Sequence, residues 1–223
     1  FSNNQVMCQH AHKYHAIGML NTDWGDYGHV CQPAFSIPGI LYGAAFAWNA
    51  NGMTYEEVND AVSFLAFGDA TGDFMRAFDA LSCHEVFNWF HVVRWIEEKD
   101  AEKRHAIYND ENLHLEKLES ANAEVDAALA QLHAAALRMD SSKRGIIEDL
   151  ALAAEGVKLI NDLGCYVGAV EEHRPYAHRN GSELASALES WYHAYVANWR
   201  RVSRESTLVR TRSLICAWAD YLR

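Results

Sequence analysis

Proline is nearly absent, three in 223 residues, so little interrupts a helix once it starts, and the abundance of alanine and leucine predicts a mainly α protein. Basic residues are in deficit. Nineteen Lys and Arg stand against thirty Asp and Glu, a formal charge of −11, whereas binding a phosphate backbone needs clustered cations. A nucleic-acid partner is therefore excluded. The one basic cluster, Arg200, Arg201, Arg204, Arg210 and Arg212, lies among Trp199, Leu208 and Leu214 and reads as the solvated side of a helical hairpin. No run reaches the ~18 apolar residues of a membrane span, so no membrane partner is expected. Phe1 opens onto a polar stretch rather than a basic and then apolar leader, which reads as a fragment or a mature product with any address upstream. The five cysteines (Cys8, Cys31, Cys83, Cys165 and Cys216) show no CxxC spacing. An odd number cannot all pair within one chain, which favours a reducing, cytoplasmic compartment. The lack of a GxGxxG run, a phosphate-cradling loop or a serine elbow leaves nucleotide binding and serine hydrolysis without support.

The first fifty or so residues differ in texture from the rest. Asn4 to His15 fits a helix that Gly18 is placed to end. Ile17-Gly18-Met19-Leu20-Asn21-Thr22 is a short apolar run suited to a buried parallel strand, and Asp23 to His29 is too polar and glycine-rich to continue it. Ser36 is a good helix N-cap with Pro38 in the first turn, and Gly39 to Trp48 is an apolar helix stopped by Asn49-Ala50-Asn51-Gly52. Helix, strand, loop and helix make one βα unit, the repeating element of a barrel or doubly wound sheet. Alone it cannot bury a strand on both faces. Missing partners are implied.

From Met53 onward the pattern is helical. Thr54 with Glu57 makes a capping box, and helices are predicted over Tyr55 to Phe67, Asp73 to Glu98, Leu113 to Met139, Ser142 to Glu171, Glu183 to Val202 and Glu205 to Leu222. Two seams alternate spacings of three and four: Leu115, Leu118, Asn122, Val125, Leu129, Leu132, Ala136, Met139, and Ile146, Leu150, Ala153, Val157, Ile160, Gly164, Val167. A tight turn at Asp140-Ser141 would fold them into an antiparallel hairpin. Gly164 would permit close approach, and Asn122 would be a polar interruption of its seam.

Twelve histidines invite a metal reading that their spacing does not support. On a helix His10 and His12 point about 200° apart, so His10, His12 and His15 cannot converge on one ion. His84-Glu85 begins like a zinc-protease helix, but the second ligand position is Asn88. Glu102 with His105 and Glu111 with His114 lie too close in sequence to wrap a metal pair from separate helices. No metal and no cofactor is expected. The many aromatics of the helical region, among them Phe87, Trp89, Phe90, Trp95, Trp191, Tyr192, Tyr195, Trp199 and Trp218, recur at helical spacing and read as core.

One segment carries distinctive chemistry. Thr22-Asp23-Trp24-Gly25-Asp26 sets an indole between two carboxylates just past the expected strand, where barrel enzymes keep their sites. A flat indole face stacks on the C–H face of a sugar ring, and a carboxylate accepts hydrogen bonds from two hydroxyls. The competing reading is a turn whose aspartates bond backbone amides and whose tryptophan fills a rim.

Asn21-Thr22-Asp23-Trp24-Gly25-Asp26-Tyr27-Gly28-His29, then Ser36-Ile37-Pro38-Gly39, and then Tyr42-Gly43-Ala44-Ala45-Phe46-Ala47-Trp48-Asn49 resemble the eighth strand and following helix of bacterial family 20 glycoside hydrolases, the exo-acting β-N-acetylhexosaminidases. Trp-Gly-Asp stands where better-known relatives have Trp-Gly-Glu. The resemblance implies that residues 1–52 are the last helix-strand-helix piece of a (β/α)8 TIM barrel and residues 53–223 a helical C-terminal domain. It further implies that Trp24 walls the subsite for a terminal N-acetylglucosamine or N-acetylgalactosamine, that Asp26 bonds the hydroxyls on its fourth and sixth carbons, and that Asp23, Tyr27 and His29 support them. In that family the substrate's own acetamido oxygen attacks the anomeric carbon, oriented by an Asp while an adjacent Glu protonates the leaving oxygen. That pair belongs to an earlier strand, so the chain alone is expected to be inactive. Its partners would be a terminal N-acetylhexosamine and the remainder of the barrel, with a homodimer open.

Two other readings remain. One is a helical interaction module that docks a partner on its helix faces without catalysis. The other is a separate small enzyme with Asp23 and Asp26 as acid and base, for which the chain offers no nucleophile system or complete sugar pocket.

Overall fold

In the computed structural model, residues 2–28, 30–82, 86–109, 117–176 and 179–223 are described. Among them are ten α-helices and no strand: α1 Ser2–Lys13, α2 Ile37–Trp48, α3 Tyr55–Phe67, α4 Asp73–Leu81, α5 Trp89–Glu97, α6 Ala101–Tyr108, α7 Leu118–Ala136, α8 Gly145–Glu171, α9 Gly181–Trp199 and α10 Leu208–Leu222. The chain divides into two compact units, one of residues 1–24, 31–79 and 130–148, the other of residues 25–30, 80–129 and 149–223.

In the first unit α1 lies on α2. It ends earlier than Gly18 predicts, because His15 takes a left-handed φ of 55°, and the bonds Ala16 N–H to Ala11 O (2.9 Å) and His15 N–H to His12 O (3.3 Å) close a Schellman turn. The strand expected over Ile17–Thr22 does not form. A strand needs a neighbour for its N–H and C=O groups, and no described residue offers a sheet edge. Asn21 ties the segment down instead, its side-chain amide donating to Gly39 O at 2.9 Å, a carbonyl that Asn4 of α1 also bonds at 2.9 Å.

Thr54 and Glu57 form the predicted capping box at the start of α3. Beyond Gly68, which closes α3 in the left-handed region, Asp69 is fully buried and caps α4, accepting from Thr71 N–H (3.0 Å), Thr71 Oγ1 (2.6 Å) and Phe74 N–H (2.8 Å). The helix starts there because a carboxylate satisfies amides that have no partner inside the helix. Tyr42, Phe46, Val58, Val62, Phe67, Phe74 and Met75 are among the buried apolar residues of this unit, with the Phe67 and Phe74 rings 4.2 Å apart. Tyr42 donates its buried hydroxyl to Asn59 Oδ1.

The long helix expected over Asp73 to Glu98 is instead two. The Asn88 side chain accepts from His91 N–H at 3.1 Å and starts α5 afresh, because a short amide side chain competes with helical backbone bonding and favours a cap. Helix α6 was not foreseen. Asp100 caps it through Lys103 N–H at 3.1 Å, and its brevity hides its periodicity.

The second unit is built around residues 149–171 of α8. Leu159, Leu163 and Val167 pack with Phe87, Val92 and Trp95, with Leu184 and Leu188 of α9, and with Ile215, Trp218 and Leu222 of α10. Trp95 and Trp218 stack at 5.1 Å and 15°, and Trp218 Nε1 donates to Val92 O at 3.1 Å. Each such fully buried large side chain contributes roughly 1.5–3 kcal/mol relative to exposure. The two counted helices run antiparallel, as predicted. Asn161 Nδ2 donates to Asn122 Oδ1 (3.0 Å) and Lys158 Nζ to Asp126 Oδ1 (2.8 Å), numbers rising on one helix as they fall on the other. Asp140 forms the turn between them, accepting from Ser142 N–H and Oγ at 2.8 Å each.

The first seam is shifted on alternate turns. Leu118, Val125, Leu132 and Met139 are buried, but Ala121, Ala128 and Ala135 share the buried face while Asn122, Leu129 and Ala136 are half-buried. Leu115 lies outside the described residues. Gly164 does meet a close neighbour, Phe87, whose Cβ would lie 2.5 Å from a Cβ placed there.

Candidate functional site

Trp24 is presented to solvent. It is 78% exposed, and its indole Nε1 donates locally to Thr22 Oγ1 at 3.0 Å. That bond orients the ring through its edge and leaves its faces open. The Asp23 carboxylate accepts from Ser36 Oγ. Ser36 is thus engaged away from α2 and makes no side-chain cap there, although Pro38 sits in the first turn as expected. For Asp23 this fits a turn-stabilising role.

Asp26 is exposed and lies in a turn whose next two residues are left-handed, Tyr27 at φ 59° and Gly28 at φ 91°. The Tyr27 ring meets the Phe90 ring edge-on at 5.1 Å, and Tyr27 O accepts from Trp89 Nε1 at 3.3 Å. Trp24 belongs to the first unit, while Asp26 and Tyr27 belong to the second. His29 lies outside the described residues.

Among the described residues no group of three His, Cys, Asp or Glu side chains is placed to hold a metal ion. His105 pairs with Glu171 at 2.9 Å, and His91 is buried against the Phe87 ring at 5.7 Å. His84, Glu85, Glu111 and His114 lie outside the described residues. No helix among the described residues is long and apolar enough to cross a membrane. The first unit also holds a cleft of about 580 Å³, walled by His12, His15, Trp48, Asn49 and Asn51 over Cys8 and Phe46. Neither Trp24 nor Asp26 lines it.

Asp69 and Asn161 are among the buried polar residues. Asp69 has a local signal, a Gly-Asp-x-Thr run just past a helix end. Burial pushes its carboxyl up, but the bonds from Thr71 and from the Phe74 amide outweigh that and hold it below the usual carboxylate range. Asn161 is fully buried and had no such signal, since it sits one residue from a counted seam position and looks solvated on a helical projection.

No family model, no curated protein and no solved structure matches the chain, so its function has to be read from its own residues.

Proposed function

We propose that the chain is the C-terminal portion of an exo-acting β-N-acetylhexosaminidase of glycoside hydrolase family 20. In this reading residues 17–22 become the last strand of a (β/α)8 barrel when the other strands are present, and residues 53–223 are the helical domain that follows. Trp24 stacks under the terminal N-acetylhexosamine and Asp26 accepts from its outer hydroxyls. Hydrolysis is substrate-assisted and retaining, and the Asp-Glu pair that drives it comes from the rest of the protein.

The observation that carries the reading is the pattern of exposed apolar side chains on the motif segments. Ile17 is 110% exposed, Leu20 85%, Trp24 78% and Trp48 92%. Apolar surface of this kind is unfavourable in water by roughly 25 cal/mol per Å², and it suits side chains that a neighbour or ligand covers. Adjoining barrel strands would cover Ile17 and Leu20, and a sugar ring would cover Trp24.

The same exposed residues also suit a docking face on a module without catalysis, and one experiment separates the two. The full reading frame that contains this chain is expressed and assayed for release of nitrophenol from 4-nitrophenyl N-acetyl-β-glucosaminide and its galacto epimer, beside the 223-residue chain. Turnover by the longer protein and none by the chain is expected. A longer protein without turnover would favour the docking module, and turnover by the purified chain would shift Asp23 and Asp26 from binding to catalysis.

A further inference from the structure

The turn that carries Asp26 is held by helices far away in sequence. Tyr27 adopts a left-handed backbone (φ 59°) followed by Gly28 (φ 91°). A bulky non-glycine residue keeps such a conformation only where its surroundings over-determine it. Three contacts do so. Trp89, the first residue of α5, donates its indole N–H to Tyr27 O at 3.3 Å. Phe90, the next residue, meets the Tyr27 ring at 5.1 Å and 77°, with the Arg94 guanidinium 4.8 Å from the far ring's centre. The aliphatic stem of Arg210, from α10, lies so close to Gly28 that a Cβ there would be 2.9 Å from Arg210 Cγ. Only glycine admits that approach.

The seat is itself fixed at both ends. The Asn88 cap sets the start of α5, and with it Trp89 and Phe90. Both terminal guanidinium nitrogens of Arg210 bond the Glu97 carboxylate of α5, one of them at 2.8 Å, a bidentate arrangement that fixes direction as well as distance. Arg210 in turn holds the Glu97 carboxyl below its usual range. Helices α5 and α10 thus both meet the turn and are tied to each other.

We propose that Trp89, Phe90 and Arg210 are positioning residues that hold the Gly25–Gly28 turn so that the Asp26 carboxylate meets the sugar at one fixed place, and that they thereby set discrimination between epimers at the fourth carbon. The proposal rests on the reading of Asp26 as the acceptor for the outer hydroxyls. A carboxylate held in one position distinguishes an equatorial from an axial hydroxyl, because the wrong epimer leaves a polar group unpaired. A carboxylate on a loose turn follows either.

Two measurements test the proposal separately from the function. In the 223-residue chain, amide hydrogen exchange over residues 26–28 is compared for wild type, Trp89→Phe, Arg210→Ala and Arg210→Lys, with circular dichroism confirming the helices. Trp89→Phe and Arg210→Ala should exchange about fivefold faster or more, while Arg210→Lys keeps the stem over Gly28 and should fall between them and wild type. Unchanged exchange in both would overturn the clamp whatever the enzyme does.

In the full reading frame the ratio of kcat/KM for gluco- and galacto-configured 4-nitrophenyl N-acetyl-β-hexosaminides is measured for the same variants. It should move toward one by roughly threefold to tenfold, with partial recovery in Arg210→Lys. An equal loss on both substrates with the ratio intact would overturn the specificity role and leave these residues purely structural. Faster exchange in a longer protein that hydrolyses neither substrate would keep the clamp and refute the proposed function.

Discussion

Asn161→Ala probes the polar link between α7 and α8. The wild-type side chain is fully buried, donates to Asn122 Oδ1 at 3.0 Å and accepts from Val86 N–H at 3.2 Å. Alanine deletes both bonds. A hydrogen bond in a protein is worth about 1 kcal/mol net, and a polar partner left dry costs about 1–3 kcal/mol more. Asn122 is only half-buried and keeps its own donation to Asp162 Oδ1 at 3.2 Å, so water relieves part of that penalty. The sum is about 2–3 kcal/mol. Followed by circular dichroism in urea, with an m-value of roughly 2 kcal/mol per molar, the midpoint of the transition should fall by about 1–1.5 M. A cycle with Asn122→Ala should show coupling of about 0.5–1.5 kcal/mol, because the two residues share a bond. A loss under about 0.5 kcal/mol with no coupling would refute the claim that this network ties the pair together.

Trp218→Ala removes a buried ring, its 5.1 Å stack on Trp95 and its bond to Val92 O, and should cost about 3–5 kcal/mol in the same urea titration, where a loss under about 1 kcal/mol would contradict the packing. Asp69 has a folded-state pKa below its unfolded value, so its contribution is fully present above the ordinary aspartate pKa of ~3.9 and is lost as pH falls through the folded value. The thermal midpoint of wild type should therefore drop more steeply below about pH 4 than that of Asp69→Asn, and parallel curves would refute the cap's electrostatic role. The isolated chain should be strongly helical by circular dichroism, and thermolysin should cut first beside Ile17 and Leu20, which are exposed and lie outside any helix. First cuts within α8 or α9 would contradict that order of protection.

Helical character was legible because propensity and a period near 3.5 act locally and repeat. Thr54 with Glu57, Pro38 and Asp140 announced boundaries that the structure keeps. The strand over Ile17–Thr22 was drawn from an apolar run whose outcome depends on neighbours the sequence cannot supply. With no sheet edge among the described residues, the segment stays irregular, and Ile17 and Leu20 face water while Met19 is half-buried beside Cys8. Asn88 was overridden by the apolar pattern on either side of it, although one capping side chain was enough to divide a helix. Of the candidate site, Trp24 and Asp26 were legible as chemistry. What seats the Asp26 turn was not, because Trp89, Phe90 and Arg210 read locally as core or surface and meet Tyr27 and Gly28 only through the fold.

Trp24→Ala in the full reading frame probes the proposed role of Trp24 as a sugar-binding wall in a complete hexosaminidase. Its side chain makes no buried contact that folding would miss, being 78% exposed, so the variant should fold as wild type does. Loss of a stacking platform worth ~1–3 kcal/mol predicts a fall of about tenfold to a hundredfold in kcat/KM for 4-nitrophenyl N-acetyl-β-glucosaminide. Unchanged kinetics in a folded Trp24→Ala protein would rule that role out.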